Sequence, residues 1–325
     1  MIDTAPDANA PEPSRHAASG PASGSWGGVV WLNGQFVARD AARISAFDAG
    51  VQHAVGLFET MVAVGDRVFR IDRHLARLAA SARELGLTEA LRTDPLREAV
   101  ERTVHRNALP SSRVRLTITG GDLNLLQSAG RSSHDPTIMI VAQPRTVYPD
   151  RLFEEGAMVT VADPRANPLD PDAGHKTLNY WPRIRALQHA ARAGASEALW
   201  MSVTNHLASG SVSNVLLVRD GTLLTPYARG EEVAGALPAP VLPGIVRDFV
   251  IETAGSIDMP VERRMLSVGD ALEADEILLT NSSWGVLPVV RLEAAKIGAG
   301  APGPVARRMR SAWLAAIGES RKDGS

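Results

Sequence analysis

Gly174-His175-Lys176-Thr177-Leu178-Asn179 contains the only lysine among the first 295 residues of this 325-residue chain. Of its 34 lysines and arginines, three are lysines (Lys176, Lys296 and Lys322) and the other 31 are arginines. Lys296 and Lys322 lie in the C-terminal stretch, where a solvated charge is the ordinary expectation. A chain that meets almost every need for positive charge with arginine keeps an interior lysine for what guanidinium cannot do. An ε-amine can be deprotonated by its surroundings and form a Schiff base, whereas guanidinium stays charged and is a poor nucleophile. The plain alternative is a surface lysine left by chance.

The surrounding chain has the composition of a globular protein, with 45% hydrophobic and 22% charged residues. At roughly 150 residues per domain its length allows about two domains. The net charge of −2 gives no global field toward nucleic acid or an anionic membrane. No run approaches the roughly 18 apolar residues of a membrane-spanning helix. The absence of cysteine excludes disulfides, thiolate nucleophiles and Cys-ligated zinc. The eight histidines are scattered without metal-ligand spacing, so no metal is expected, and His53, His74 and His175 read as structural. A cytoplasmic location fits this composition.

Residues 1–25 are rich in Ala, Pro, Ser and Gly without apolar periodicity and read as a disordered tail. Val29 to Leu32, Asn33-Gly34 and Gln35 to Val37 form a hairpin signal. A second hairpin is expected over Thr60 to Val64 and Arg67 to Ile71, followed by helices from about Asp72 to Leu85 and from Asp94-Pro95 to Asn107. Strands near Val114 to Thr119 and Thr137 to Ala142 complete a small α+β domain over 28–142. Strands followed by paired helices argue against a doubly wound sheet. Gln143 to Asp150, with Pro144 and Pro149, is the expected linker. Over 151–325 a larger, mainly β domain is expected, with helices at Trp181 to Ala193, Ile245 to Ala254 and Val305 to Ile317.

The chain has no Walker A sequence, no His-Glu-x-x-His and no Gly-x-Ser-x-Gly. Leu242-Pro243-Gly244-Ile245-Val246-Arg247-Asp248 places Pro and Gly before an apolar-striped helix. Free N–H groups at Gly244 to Val246 suit an oxyanion, although Pro-Gly before a helix is also an ordinary lead-in turn.

Taken together, these pieces resemble the class IV aminotransferases of PLP fold type IV. The resemblance rests on the Lys176 segment, the Leu242 to Asp248 helix start, and Thr280-Asn281-Ser282-Ser283 before Val286 to Val289. Gly56-Leu57-Phe58-Glu59-Thr60 and His74-Leu75-Ala76-Arg77-Leu78 add to it. It implies two domains with pyridoxal 5'-phosphate (PLP) between them, and a homodimer. Lys176 then carries PLP as a Schiff base and acts as general acid/base. Arg77, Gly244, Ile245, Val246 and Ser282 hold its phosphate, and Leu242 packs on the ring. Phe58 and Ser283 border the substrate pocket. The family includes branched-chain and D-amino-acid aminotransferases and aminodeoxychorismate lyases, so transamination of an amino acid is expected first. The lyase reaction, or weak or absent turnover, is the alternative.

The chief departure is Ser209, standing where the family usually has the Glu that keeps the ring nitrogen protonated. No Asp or Glu between Asn205 and Val218 replaces that charge, and a hydroxyl offers only a hydrogen bond. Ser209 therefore tilts the expectation toward elimination or slow transfer. Smaller departures are Val246 in place of a frequent Thr, and Ala54-Val55-Gly56 where Gly-Asp-Gly is common.

Overall fold

The computed structural model describes residues 27–89, 91–122 and 136–319. The expected tail at 1–25 lies outside them.

The first sheet comprises β1 (Val29–Leu32), β2 (Gln35–Ala38), β3 (Gly56–Val64), β4 (Arg67–Val68), β5 (Ser111–Thr119) and β6 (Ile138–Pro144). It is antiparallel throughout, in the order β2-β1-β6-β5-β3-β4. Short α1 (Ala49–His53) precedes β3, and α2 (Ile71–Glu84) and α3 (Thr93–Asn107) separate β4 from β5. Asn33 and Gly34 both have positive φ (46° and 90°), as the Asn-Gly hairpin signal requires.

The second sheet begins after α4 (Arg151–Glu154) with β7 (Ala157–Ala166), and α5 (Trp181–Arg192) leads into β8 (Glu197–Ser202). Then come β9 (Leu207–Gly210), β10 (Asn214–Arg219), β11 (Thr222–Thr225), α6 (Ile245–Gly255) and β12 (Val261–Arg263). Finally α7 (Val268–Leu272) precedes β13 (Glu276–Asn281), β14 (Gly285–Leu292), β15 (Ala295–Lys296) and α8 (Pro304–Ile317). The order is β12-β11-β10-β13-β14-β7-β8-β9, with β15 on β14. Pairings are mixed: β7 runs parallel to both β8 and β14.

Three boundaries differ from the sequence reading. The second hairpin is shifted: β3 starts at Gly56, and β4 ends at Val68 because Arg70 turns into the left-handed region (φ 49°) and Ile71 opens α2. Gln143 and Pro144, expected in the linker, belong to β6, where they pair with Arg113 and Ser112. The short strands β9, β12 and β15 carry no sequence signal of their own; Leu-Ala-Ser-Gly of β9, for one, does not alternate.

The strands β3 and β5 position the site by using both faces. From β3, Leu57 and Met61 enter the core with Leu75 and Leu78 of α2 and Val100 and Val104 of α3. From β5, Val114, Leu116 and Ile118 join them. Full burial of each large side chain is worth about 1.5–3 kcal/mol. The alternate residues, Phe58 and Thr60 on β3 and Arg113 and Arg115 on β5, line a cavity on the opposite face. Farther along that face Val62 packs with Leu216, Phe249 and Trp313, joining the first sheet to the second.

Candidate active site

Lys176 lies in the connection between β7 and α5, and main-chain pairing fastens this segment to β3. Phe58 N–H donates to Lys176 O and Leu178 N–H to Gly56 O, both at 3.0 Å, around a bridge between Leu57 and Thr177. Gly56 is needed there, since a Cβ would press on the Ile118 carbonyl and the Leu178 side chain. The Lys176 amine sits 4.4 Å from the centre of the Phe58 ring and 5.5 Å from that of Tyr180. The two rings meet edge to face at 5.3 Å. Burial pulls this amine below the usual lysine range. Arg77 and Arg115 act in the same direction, against Tyr180 and Glu59.

The cavity around Lys176 has a volume of about 390 Å³ and is walled by both sheets. All ten residues singled out from the sequence border it: Phe58, Arg77, Lys176, Ser209, Leu242, Gly244, Ile245, Val246, Ser282 and Ser283.

Arg77 is fixed from behind. Its Nε and Nη2 donate to Glu59 at 2.8 and 2.6 Å, and Nη1 donates to the Pro243 carbonyl at 2.7 Å. Glu59 also meets His74 Nδ1 at 2.7 Å. Burial alone would raise the Glu59 pKa, but Arg77 and His74 prevail and hold it at about 2. His74, pulled below its usual range by burial, is structural in this role. Three of the five guanidinium N–H groups of Arg77 are thus engaged, leaving two.

Next to Arg77, α6 starts at Gly244 without a side-chain cap, so the amides at its N-terminus face the same cavity. A Cβ on Gly244 would overlap Asn214 Oδ1, whose amide group secures the turn by donating to Leu242 O at 2.8 Å. Thr280 Oγ1, also on the wall, is buried without a hydrogen-bond partner among the described residues. An uncapped helix start, an arginine with two spare donors and a hydroxyl without a partner among the described residues could together hold a phosphate dianion.

Among the lining residues that escaped the sequence reading are three cations and a phenol: Arg113, Arg115, Arg183 and Tyr180. Arg115 lies 3.7 Å from the centre of the Phe58 ring, and burial, with Arg113 nearby, lowers its pKa to about 10. Neither Arg113 nor Arg115 pairs with a carboxylate among the described residues. The alternation Arg113-Val114-Arg115-Leu116 was the available signal, because it puts both cations on the face opposite the core. Arg183, on α5, donates through Nη1 to Ser209 Oγ at 3.2 Å and to the carbonyls of Gly210 and Ser211 at 3.0 and 3.3 Å. Among the described residues no group of His, Asp and Glu could hold a metal ion.

A family model described as Amino-transferase class IV matches residues 56–292. The chain belongs to this family. The branched-chain-amino-acid aminotransferase of Escherichia coli (strain K12) is 26% identical over 292 residues, 88% of this chain and 91% of that protein. Among solved structures, a T.th. branched-chain amino acid aminotransferase with pyridoxamine 5'-phosphate superposes with a TM-score of 0.80 at 26% identity. That match covers 90% of this chain and 94% of the other. The 4-amino-4-deoxychorismate lyase from Pseudomonas aeruginosa gives a TM-score of 0.75 at 28% identity, covering 88% and 98%. The fold is therefore the α+β fold of class IV aminotransferases. Among the described residues no helix is long and apolar enough to cross a membrane.

Proposed function

We propose that this class IV family member is a PLP-dependent aminotransferase that moves an amino group between an amino acid and a 2-oxo acid through Lys176. The carrying observation is the Lys176 amine, set against the Phe58 and Tyr180 rings with no ion pair among the described residues, in one cavity with Arg77 and the uncapped start of α6. When bound, PLP supplies an electrophilic aldehyde and an electron-withdrawing ring.

The chain's own residues account for the remaining work. Arg77, Ser282 and the Gly244, Ile245 and Val246 amides would hold the phosphate, and Leu242 would pack on the ring. The lowered pKa of Lys176 leaves more of its amine neutral near neutral pH. The neutral form is the one that could condense with the aldehyde of PLP, releasing water, and the amine, when free, could take up a proton at Nζ and return it as general acid. Phe58 and Tyr180 place their rings against it. Arg113 and Arg115, lacking carboxylate partners, suit the carboxylate of an amino or 2-oxo acid, with Ser283 on the same wall.

Ser209 supports a second reading, β-elimination of aminodeoxychorismate to 4-aminobenzoate and pyruvate. The similarity to the Pseudomonas aeruginosa lyase points the same way. Two incubations separate the readings: an amino donor with a 2-oxo acid, and aminodeoxychorismate alone. Amino transfer is expected in the first; pyruvate and 4-aminobenzoate without an acceptor, with no transfer, would favour the lyase. Borohydride reduction of the PLP-loaded protein should fix the pyridoxyl group on Lys176. Fixation on another amine would refute the assignment.

A further inference from the structure

The charge on the cavity wall is one-sided. Arg77, Arg113, Arg115, Lys176 and Arg183 border the cavity with His175, and among the described residues no Asp or Glu does. Nearby carboxylates are engaged behind the wall. Glu59 is held by Arg77 and His74, and Glu84 pairs with Arg229 while lying 3.6 Å from His175. Glu197 on β8 would be the natural replacement for the acid missing at Ser209, but its oxygens face the turn after β9. They accept from the amides of Ala198, Ser211 and Val212 and from Ser213 Oγ, all at 2.9–3.1 Å.

The Ser209 hydroxyl sits inside this cationic surround with a defined polarity. Its oxygen accepts from Arg183 Nη1, and a guanidinium has no acceptor with which to take the serine proton. Ser209 Oγ makes no other hydrogen bond among the described residues, so its O–H remains to be donated into the cavity it lines. Arg183 is steadied by the Gly210 and Ser211 carbonyls and by the Trp200 ring, 5.0 Å from its guanidinium carbon.

Resting on the PLP reading above, with Ser209 facing the cofactor's ring nitrogen, we infer that Ser209 and Arg183 hold that nitrogen as an unprotonated hydrogen-bond acceptor. A protonated ring nitrogen would have to donate to an oxygen that already accepts from a guanidinium, which leaves the serine O–H without an acceptor among the described residues and sets two positive charges one hydroxyl apart with no carboxylate on the wall to offset them. Arg183 acts through Ser209 and is a positioning residue. A neutral ring withdraws electrons less, so amino transfer proceeds against a weaker electron sink.

The test uses the full chain loaded with PLP carrying 15N in the ring, with attachment at Lys176 verified by borohydride reduction and peptide mapping. The 15N chemical shift is followed across the pH range in which the protein stays folded. An unprotonated shift is expected throughout for the unmodified protein. In Arg183→Gln a protonation midpoint should enter that pH range. A protonated nitrogen at neutral pH in the unmodified protein overturns the inference while leaving the PLP reading intact. An Arg183→Gln nitrogen that stays unprotonated over the whole range overturns the role of Arg183. Label that is never fixed at Lys176 defeats the PLP reading and this inference with it. Should Arg183→Gln fail to fold, Ser209→Ala, which keeps the guanidinium, decides: an unchanged 15N shift would show that the hydroxyl makes no bond to the ring nitrogen and overturn the inference.

Discussion

Arg77 and Arg183 both reach the same cavity from helices, and their partners differ in charge. Arg77 is gripped by the buried carboxylate of Glu59 and by one carbonyl. Arg183 has only neutral oxygens: a hydroxyl and two carbonyls. The first arrangement fixes the direction of the guanidinium while cancelling most of its charge. The second fixes the direction and leaves the charge whole. Arginines on one wall can therefore do different electrostatic work, and the difference lies in residues behind the wall.

The largest expected effect concerns Lys176, which serves both corners. Lys176→Ala should lower amino transfer by at least roughly 10³-fold and abolish borohydride fixation of the pyridoxyl group. Substantial turnover in that variant would remove the reason for comparing the corners.

Glu59→Gln comes next, because it leaves Arg77 with its charge uncompensated in a nearly buried position. A loss of about 3–5 kcal/mol in urea unfolding is expected. Arg183→Gln, which removes a charged donor from neutral acceptors, should cost about 1–3 kcal/mol. Equal losses in the two variants would break the contrast.

Acid unfolding probes the same carboxylate. With a folded pKa of about 2 against an ordinary 4.5, Glu59 stabilises the fold above pH 4.5 and loses that contribution as pH falls toward 2. A shift of that size corresponds to roughly 3 kcal/mol. The stability gap between the unmodified protein and Glu59→Gln should accordingly narrow over that interval; a constant gap would mean that the pair with Arg77 does not hold the carboxylate ionised.

At the substrate wall, Arg115→Gln should raise KM for the 2-oxo acid by roughly 10- to 100-fold, the worth of one charge-assisted hydrogen bond. An unchanged KM would exclude Arg115 from carboxylate binding. The smallest change expected is in Ser209→Glu, which gives Arg183 an acidic neighbour like that of Arg77. Its amino-transfer half-reaction should quicken by about tenfold, equivalent to ~1.4 kcal/mol. No gain in a folded, PLP-loaded variant would count against the electrostatic account of this corner.

Much of the architecture could be read in the sequence because period and turn chemistry agreed. Asn33-Gly34 marked the first hairpin, and the apolar spacing of Leu75, Leu78 and Ala82 marked α2. Lys176 stood out because lysine is scarce in this chain. Arg113, Arg115 and Arg183 had no such contrast among 31 arginines, and what sets them apart from solvated ones is the cavity they line. The Glu59–Arg77 pair was hidden for another reason: it joins a strand to a helix across 18 residues, and local periodicity does not report which side chains meet between elements. Glu197 was missed because its backbone belongs to β8, while its carboxylate organises the turn after β9.

The paired main chain at Gly56, Phe58, Lys176 and Leu178 has a mechanical consequence. The nucleophile is stitched to the first sheet although it belongs to the stretch that follows the first strand of the second. A swing of one sheet against the other would drag the amine along with β3, so widening the cleft and re-aiming the reactive nitrogen would be a single motion.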